Sequence, residues 1–454
     1  MLNPLPQQPP YTRFETPILR VGLMLTGFLL LHYTYVIWPQ INSLYNPAPL
    51  WMGVIQGVFG FAFLLIGLLP QPHRLTRFAI LLGALILLSG YYYREKANNY
   101  LYNAETNDIK AYNEYAARLL IAGQNPYSSH MSHVFPDFNI GTWLITPTLD
   151  KEIVDVYAYP PLAFLFHAAF ALLQWDLLWV VPAFFGAVVV LFYFALPSPL
   201  RPLTVLALFL TEVPVAYSSA GINDMVWVFF VLLALARFKR PLESGLWFGL
   251  ACAAKQQPWF LAPFLVVRLL DDQPLQLTLR HKIIPFIAAA VGAFLVVNLP
   301  FMIWDFGAWF AGLTMVFRTN LLISGAGFST LMDYGLLNVS RSGLSLTALV
   351  IYLTVWLYYV RFHRQVPLLM YLAPLLFFWL GYRSYWHYQI SFWVLLFFEA
   401  LRQPEQFSSQ APPLYRVALA ALDPTGGSRP ERVLEHCHRG YTLFAAKPDF
   451  ATGH

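Results

Sequence analysis

The chain has 454 residues, of which 58% are hydrophobic and only 11% are charged, and its mean hydropathy is +0.54. Because soluble domains carry about 25% charged residues, this composition excludes an ordinary soluble domain and predicts an integral membrane protein. The formal net charge of +5 suits contact with anionic membrane lipids and gives no case for nucleic acid as a partner. Two cysteines, Cys252 and Cys437, are too few for a disulfide framework, and the polar, Pro-rich N-terminus lacks the pattern of a secretory signal peptide.

Apolar runs of roughly membrane-spanning length recur along the chain and predict an all-α polytopic bundle of about 11–13 transmembrane helices. Basic residues cluster between runs near positions 73–77, 237–240 and 361–364, and the positive-inside trend places such clusters in the cytoplasm. With both termini in the cytoplasm, we expect the first polar loop (95–158), the second polar loop (305–341) and the link at 381–385 on the outer face. The runs are 17–38, 49–70, 76–93, 159–175, 177–197, 202–217, 222–237, 244–269, 283–304, 342–361, 366–381 and 385–401.

Two regions are expected to be broken rather than continuous spans. Two full spans between 159 and 201 would invert the basic cluster at 237–240, so we expect a broken or re-entrant pair there. The run at 244–269 carries Lys255-Gln256-Gln257-Pro258 in its middle, which predicts a second break. Irregular backbone at membrane depth is tolerated only where it is buried in protein or lines a cavity. Both breaks therefore predict a cavity within the bundle.

The first polar loop contains a short amphipathic helix. Asn107 is a candidate N-cap, Asp108 lies in the first turn where the helix dipole favours a carboxylate, and Gly123 is expected to end the helix. Asp108, Tyr112 and Leu119 share one face with Tyr115 at helical spacing. The carboxylate is either a solvated cap or, at the surface of a membrane above a helix bundle, part of a site for a lipid-bound substrate.

Three further polar positions are candidates for chemistry, each with a structural alternative. Lys255, in an otherwise apolar run, is either a phosphate ligand or a lysine that snorkels to the interface. Asn223 and Asp224, at the head of a run, are either a helix cap or ligands of sugar hydroxyls. The third position is a cluster that begins in the link at 381–385 and comprises Arg383, His387 and Tyr388. This cluster is either an aromatic belt at the membrane interface or a contact with the phosphate and sugar.

The second polar loop and the C-terminal tail complete the chain. An apolar segment from Asp305 followed by the Gly-rich stretch Ser324-Gly325-Ala326-Gly327 predicts an interfacial lid, which Trp309, Arg318 and Asn320 would line or anchor. Residues 403–454 are predicted to form a partly disordered cytoplasmic tail. Its His436-Cys437-His438 has no further ligands at suitable spacing, so we expect no metal site there.

Several of these motifs, taken in order, resemble the GT-C glycosyltransferases. The chain is most similar to the bacterial polyprenyl-phosphate-mannose-dependent mannosyltransferases, the group that includes the phosphatidylinositol-mannoside mannosyltransferase, and the resemblance covers roughly residues 100–270. At one motif the chain has Ile222 where the family often has Gln. The matching segments are Asp108-x-x-x-Tyr112, Gly123-Gln124-Asn125-Pro126-Tyr127, Tyr159-Pro160-Pro161-Leu162, Gly221-Ile222-Asn223-Asp224, and a Gly-Leu-Ala segment that leads from Gly249 to Lys255 and Pro258.

The resemblance implies a catalytic domain over residues 1–402 in a bacterial cytoplasmic (inner) membrane, with the active site on its outer face. It implies inverting transfer of a sugar, mannose above all, from a polyprenyl-phosphate-linked donor to a lipid or glycolipid acceptor, with Asp108 as general base. The donor phosphate would be bound by Lys255, Arg383 and His387. Sugar and acceptor contacts would come from Tyr112, Asn125, Tyr127, Tyr159, Asn223, Asp224 and Tyr388.

A metal is weakly supported by the sequence. Related enzymes often have paired acidic residues, but the partner positions of Asp108 are Thr106 and Lys110. One carboxylate with such neighbours is a poor site for a divalent cation such as Mg²⁺ or Mn²⁺. We therefore predict no metal ligand, although Glu105 and Asp137 are possible helpers of Asp108, as is Asp224.

Two other functions remain open at this point. A lipid or lipid-linked-sugar transporter (flippase) would also have broken helices and intramembrane charge. A non-catalytic subunit with a GT-C-like fold would tolerate the Ile222 departure and the lone aspartate. An enzyme should lose turnover when Asp108 is replaced by Asn, whereas a scaffold should be indifferent.

Overall fold

The computed structural model describes residues 15–41, 48–69, 76–102, 107–140, 146, 148–149, 154–270, 274–319, 321–325 and 327–402. Within this part of the chain the protein is almost entirely helical, with one short parallel pair of strands. The predicted tail at 403–454, including His436-Cys437-His438, lies outside the described residues. So do Glu105, Thr106, Asn320 and Ala326.

Three long helices open the chain: α1 (Glu15–Ile41), α2 (Ala48–Leu68) and α3 (Arg77–Tyr102). Small residues let α1 and α2 approach closely, as is common between membrane helices. A Cβ atom on Gly27 would lie 2.6 Å from the carbonyl oxygen of Gly60. This close packing joins α1 and α2 along one side of the bundle.

The helix predicted in the first polar loop is confirmed as α4 (Asp108–Ile121), and a short α5 (Val134–Asp137) follows it. The Asn107 side chain accepts a hydrogen bond from the Lys110 N–H at 2.8 Å, as an N-cap should. Gly123 adopts φ +75 immediately after the helix, and its N–H donates to the Leu120 carbonyl. Local capping chemistry thus sets both ends of α4.

Short and broken helices make up the middle of the chain. The α9 and α10 axes meet at 117°, and α11 ends at Lys255, where a 3-10 turn (Gln257–Leu261) leads to α12. The predicted break at 244–269 is therefore confirmed. These helices are α6 (Leu162–Leu172), α7 (Val180–Ala195), α8 (Leu203–Phe209), α9 (Val213–Ser219), α10 (Asp224–Ala236), α11 (Pro241–Ala254) and α12 (Ala262–Arg268).

One predicted membrane crossing is not a continuous helix. The run at 202–217 is not one helix but α8 and α9, each of seven residues. Seven residues of helix extend only about 10 Å, a third of a bilayer core of about 30 Å. The chain turns at 210–212 because Pro214 suits the start of a new helix and cannot continue an old one.

The remaining elements bring the second polar loop against the link at 381–385. Strand β1 (Ser324–Gly325) pairs in parallel with β2 (Arg383–Ser384), so Ser324 stands opposite Arg383. The helices are α13 (Leu275–Thr278), α14 (Ile284–Trp304), α15 (Phe306–Leu313), α16 (Met315–Arg318), α17 (Ser329–Asp333), α18 (Arg341–Phe362), α19 (Leu369–Leu380) and α20 (Trp386–Arg402), with a π-helical turn (Leu279–Ile283) before α14.

Five stretches of the described residues are helices long and apolar enough to cross a membrane, or six if the bent α9–α10 pair counts as one span. The chain therefore has the helices of a membrane protein, while the larger predicted number of crossings stays a prediction. The five are Glu15–Thr34, Trp51–Leu68, Leu177–Ala195, Leu275–Trp304 and Arg341–Phe362.

A second core lies beneath α4, apart from the main core of the bundle. Tyr127, Tyr157 and Phe164 contact one another edge to face, and Phe301 joins them from α14. Trp309 is also buried there, and its indole N–H donates to the Asn298 side chain at 3.1 Å. Trp309 is thus a core residue rather than a lid residue. This aromatic core holds α4 in its position on the bundle.

The Gly-rich stretch of the second polar loop is packed, contrary to the expectation of a flexible lid. A Cβ atom on Gly325 or on Gly327 would lie within 2.3 Å of Ser384 atoms. The Ser324 N–H donates to the Tyr382 carbonyl at 3.0 Å, and the Phe328 N–H to the Trp379 carbonyl at 2.8 Å. The glycines are needed because two backbones approach closely here. Arg318, in contrast, is exposed, as an interfacial anchor would be.

Candidate functional site

Asp108 lines a narrow cleft formed mainly by residues of the first polar loop, with Tyr159 and Met315 completing its wall. Its Oδ2 atom accepts a hydrogen bond from the Thr146 hydroxyl at 3.1 Å. The cleft has a volume of about 30 Å³, far below the roughly 300–1,000 Å³ of pockets that hold small molecules, so its walls must separate to admit a sugar. Its lining comprises Asp108, Tyr112, Thr146, Val154, Val156, Ala158, Tyr159 and Met315.

Burial is the largest influence on the Asp108 carboxyl and raises its pKa above the ordinary value. The Thr146 hydrogen bond and the positive charge of Arg383 act in the opposite direction and lower it. The net direction is upward. A carboxylate with a raised pKa is a better proton acceptor than an ordinary aspartate, and such groups concentrate at functional sites.

Arg383 supplies the positive charge that acts on Asp108. Its guanidinium lies 5.0 Å from the centre of the Tyr385 ring, and Nη2 donates to the Tyr385 hydroxyl at 3.0 Å. The Nε atom is buried and makes no hydrogen bond within the described part of the chain, where Arg383 also forms no ion pair. A buried guanidinium that retains an unused donor is suited to bind an anionic group.

Two tyrosines of the predicted site line the cleft. The Tyr112 hydroxyl donates to the Val154 carbonyl at 2.7 Å, which holds the ring of Tyr112 against the cleft wall. Tyr159 lies between the cleft and Lys255, whose Nζ is 5.7 Å from the Tyr159 ring centre. Tyr388 approaches the same ammonium group from α20, at 6.0 Å. The structure thus brings residues of four segments together.

Lys255 is not a free cation. Its Nζ is 2.6 Å from Oδ1 of Asp224, and the two side chains are only 3% and 4% exposed. The same Oδ1 accepts the indole N–H of Trp227 at 3.2 Å. Sequence reasoning assigned Lys255 to a phosphate and Asp224 to a sugar, but in this structure each neutralises the other. The pair closes the broken end of α11 onto the start of α10.

Polar groups with unused hydrogen-bonding capacity surround this pair. Asn223 is the N-cap of α10 by position, yet its side chain makes no capping bond and is buried without a hydrogen bond in the described residues. The Gln257 amide and the Nε2 atom of His387 are in the same situation. His387 lies near Asp224, Lys255 and Arg383 and stacks on the Tyr385 ring.

Asn125 and Tyr127 do not line the cleft and form structural hydrogen bonds, so their role as sugar contacts stays a prediction. Asn125 accepts from the Tyr127 N–H at 3.1 Å and donates to Ser128 at 3.2 Å, so it shapes a turn. Tyr127 is buried in the aromatic core and donates to the Tyr159 carbonyl at 2.7 Å. Their pattern in the sequence reflects the packing beneath the site. Asp137, a possible helper, is exposed at the end of α5.

Sequence reasoning missed two residues that shape the site. Thr146, the hydrogen-bond partner of Asp108, lies in a polar stretch with no pattern to single it out. Gln256 donates to the Ala158 carbonyl at 2.7 Å, which ties the break after α11 to the segment before Tyr159. The break itself was the available signal for Gln256, because a polar side chain at such a point must find a partner.

Metal-binding groups do not cluster at the cleft. Among the residues that the structure describes, no three His, Cys, Asp or Glu side chains lie where they could together hold a metal ion. Near Asp108 the polar atoms come from a hydroxyl, a guanidinium and phenols, and the guanidinium would repel a cation.

The chain was compared with family models, with curated proteins and with solved structures, and no match was found in any of the three comparisons.

Proposed function

We propose that the protein is a membrane glycosyltransferase that moves a hexose from a polyprenyl monophosphate carrier to a lipid-linked acceptor. The resemblance favours mannose as the sugar and the outer face of a bacterial cytoplasmic membrane as the location. One observation carries the proposal: Asp108 lines the cleft with a raised pKa, and its carboxyl is within the influence of the positive charge of Arg383, which forms no ion pair in the described residues.

These two groups match the two demands of the reaction. The acceptor hydroxyl oxygen forms a bond to the anomeric carbon while its proton passes to the Asp108 carboxylate. The bond from the anomeric carbon to the phosphate oxygen breaks, and its electron pair leaves with the polyprenyl phosphate. Arg383 stabilises the additional negative charge on that phosphate. Attack from the face opposite the phosphate inverts the anomeric centre.

Among the predicted phosphate ligands, Arg383 is favoured over Lys255 by its contacts. Arg383 becomes the principal one, because its donor Nε has no partner in the described residues and its charge reaches the cleft. Lys255 holds the aromatic wall of the site in place instead of binding the phosphate, because Asp224 neutralises it and the rings of Tyr159 and Tyr388 flank it. His387 stays a candidate for a neutral hydrogen bond to the phosphate or sugar through Nε2.

The test is sugar transfer by the purified chain in nanodiscs, with radiolabelled polyprenyl-phosphate mannose and a lipid extract as acceptor. We expect Asp108→Asn to lose about 100- to 10,000-fold in rate, the range that a general base typically contributes. Asp137→Asn is the matched control, because it removes an exposed carboxylate of the same polar loop. Equal transfer by both variants would refute the role of Asp108 as base.

A transporter of lipid-linked sugars is the second candidate. It is favoured by the bent α9–α10 pair and by the buried Asp224–Lys255 ion pair next to the bend, because transporters build binding sites at such interrupted helices. Movement of a labelled lipid across the bilayer of proteoliposomes, without any sugar transfer, would support this function over the enzyme. Neither sugar transfer nor lipid movement by the wild-type chain would instead indicate a non-catalytic subunit.

A further inference from the structure

The start of α4 is docked on the turn that joins α9 to α10. Asn107 Nδ2 donates a hydrogen bond to the Ala220 carbonyl in this turn. The side chain of Lys110 lies across the next residue, Gly221: a Cβ atom built there would be 2.9 Å from both Cβ and Cδ of Lys110. These contacts join segments more than a hundred residues apart, and they flank Asp108 on both sides.

The glycine is required at this turn for two independent reasons. Gly221 has φ +85, a conformation that residues with a Cβ rarely adopt. One of the atoms that this Cβ would meet is Lys110 Cβ. It is bonded directly to the backbone of α4, so it moves only when the helix moves. Lys110 itself is 4% exposed, and its Nζ is 3.5 Å from a Glu114 carboxylate oxygen, so it has no space into which to retreat.

The same turn reaches the opposite side of the site three residues later. Asp224 opens α10 and holds Lys255, whose ammonium group lies beside the rings of Tyr159 and Tyr388. One turn therefore fixes the carboxylate through Asn107 and Lys110 and the aromatic wall through Asp224. A displacement of the turn changes the distance between the two.

We propose that Gly221 is a positioning residue that sets the place of Asp108 in the cleft through direct contact with Lys110. This inference rests on the proposed function for its catalytic consequence. Its structural consequence, which does not depend on the proposed function, is that any side chain at position 221 displaces the start of α4. Because reacting groups misplaced by about 1 Å lose on the order of 100-fold in rate, a small displacement is sufficient to slow the reaction.

The kinetic test compares three variants. Gly221→Ala and Gly221→Asn both add a Cβ, but asparagine tolerates a positive φ better than alanine does. Gly335→Ala is the matched control, since Gly335 has φ +68 and nothing within 4 Å of the built Cβ. We expect both Gly221 variants to lower kcat by about 10- to 100-fold with a KM for the donor within about twofold, and Gly335→Ala to keep kcat.

A second readout does not depend on activity. With Cys252 and Cys437 replaced by Ser, a cysteine introduced by Asp108→Cys reports the exposure of this position through its rate of labelling by a polar thiol reagent. We expect Gly221→Ala to raise that rate at least about fivefold if the helix start moves, since thiol reactivity follows exposure. Gly335→Ala should leave it unchanged.

The outcomes separate the inference from the proposed function. Faster labelling with no transfer by the wild-type chain would support the positioning role and refute the transferase. Unchanged labelling together with unchanged kcat in Gly221→Ala would overturn the positioning role. A loss of kcat in Gly221→Ala that Gly221→Asn restores would overturn it as well, because backbone strain rather than contact with Lys110 would then be the cause.

Discussion

The Asp224–Lys255 ion pair gives the sharpest prediction for stability. Asp224→Asn removes the negative charge but keeps an oxygen for the Trp227 indole, and Lys255→Met removes the positive charge but keeps the length of the side chain. We expect each single variant to be strongly destabilised, and the double variant to regain most of the lost stability. The reason is that one charge alone would remain buried without its partner.

The magnitude follows from the burial of the two side chains, which are 3% and 4% exposed. Breaking a pair so removed from water costs about 3–5 kcal/mol, whereas replacing both members with neutral groups is often close to neutral. The exposed pair Arg240–Glu243 has a similar distance of 2.8 Å, with side chains 65% and 42% exposed. Glu243→Gln should therefore cost less than about 1 kcal/mol.

The measurement is the free energy of unfolding of the purified chain in mixed micelles, for wild type, both single variants, the double variant and Glu243→Gln. The four-way comparison gives the coupling between the two residues directly. If Asp224→Asn alone were within about 1 kcal/mol of wild type, the pair would not be desolvated. Lys255 would then be available to an anionic substrate, and the phosphate role that the sequence predicted for it would regain its basis.

Three further predictions concern the cleft and the packing of the bundle. Because burial raises the pKa of Asp108, its ionised form is disfavoured in the fold, so Asp108→Asn should raise the thermal midpoint, by an amount that grows as pH rises from 3.8 to the higher pKa of the folded protein, is constant above that pKa and vanishes below 3.8. A midpoint that falls at neutral pH would contradict this. Since the charge of Arg383 lowers that pKa, Arg383→Gln should move the acid limb of the kcat/KM profile to higher pH, and an unmoved limb would argue against their proximity. Gly249→Ala places a Cβ 2.2 Å from the Ala290 carbonyl oxygen and should abolish monodisperse protein on gel filtration, whereas Gly292→Ala, which meets nothing within 4 Å, should behave as wild type.

Local chemistry explains the parts that could be predicted from the sequence. The cap at Asn107, the first-turn carboxylate of Asp108 and the stop at Gly123 all depend on residues within one helix, so α4 appears in the structure with the predicted ends. The break at Lys255 was likewise evident, because Lys-Gln-Gln-Pro cannot continue an apolar helix. Composition alone indicated a membrane protein.

Contacts between distant segments could not be predicted in the same way. The amino-acid sequence shows Lys255 as a charge in an apolar run, but only the tertiary structure shows that Asp224, from another helix, neutralises it. The sequence likewise does not show the structural hydrogen bonds of Asn125 and Tyr127, which only the tertiary structure reveals. Whether a polar side chain can bind substrate or is occupied by another part of the protein depends on which partner the fold brings to it. The fold brings the charge of Arg383 close enough to influence Asp108, and it brings the side chain of Lys110 against Gly221.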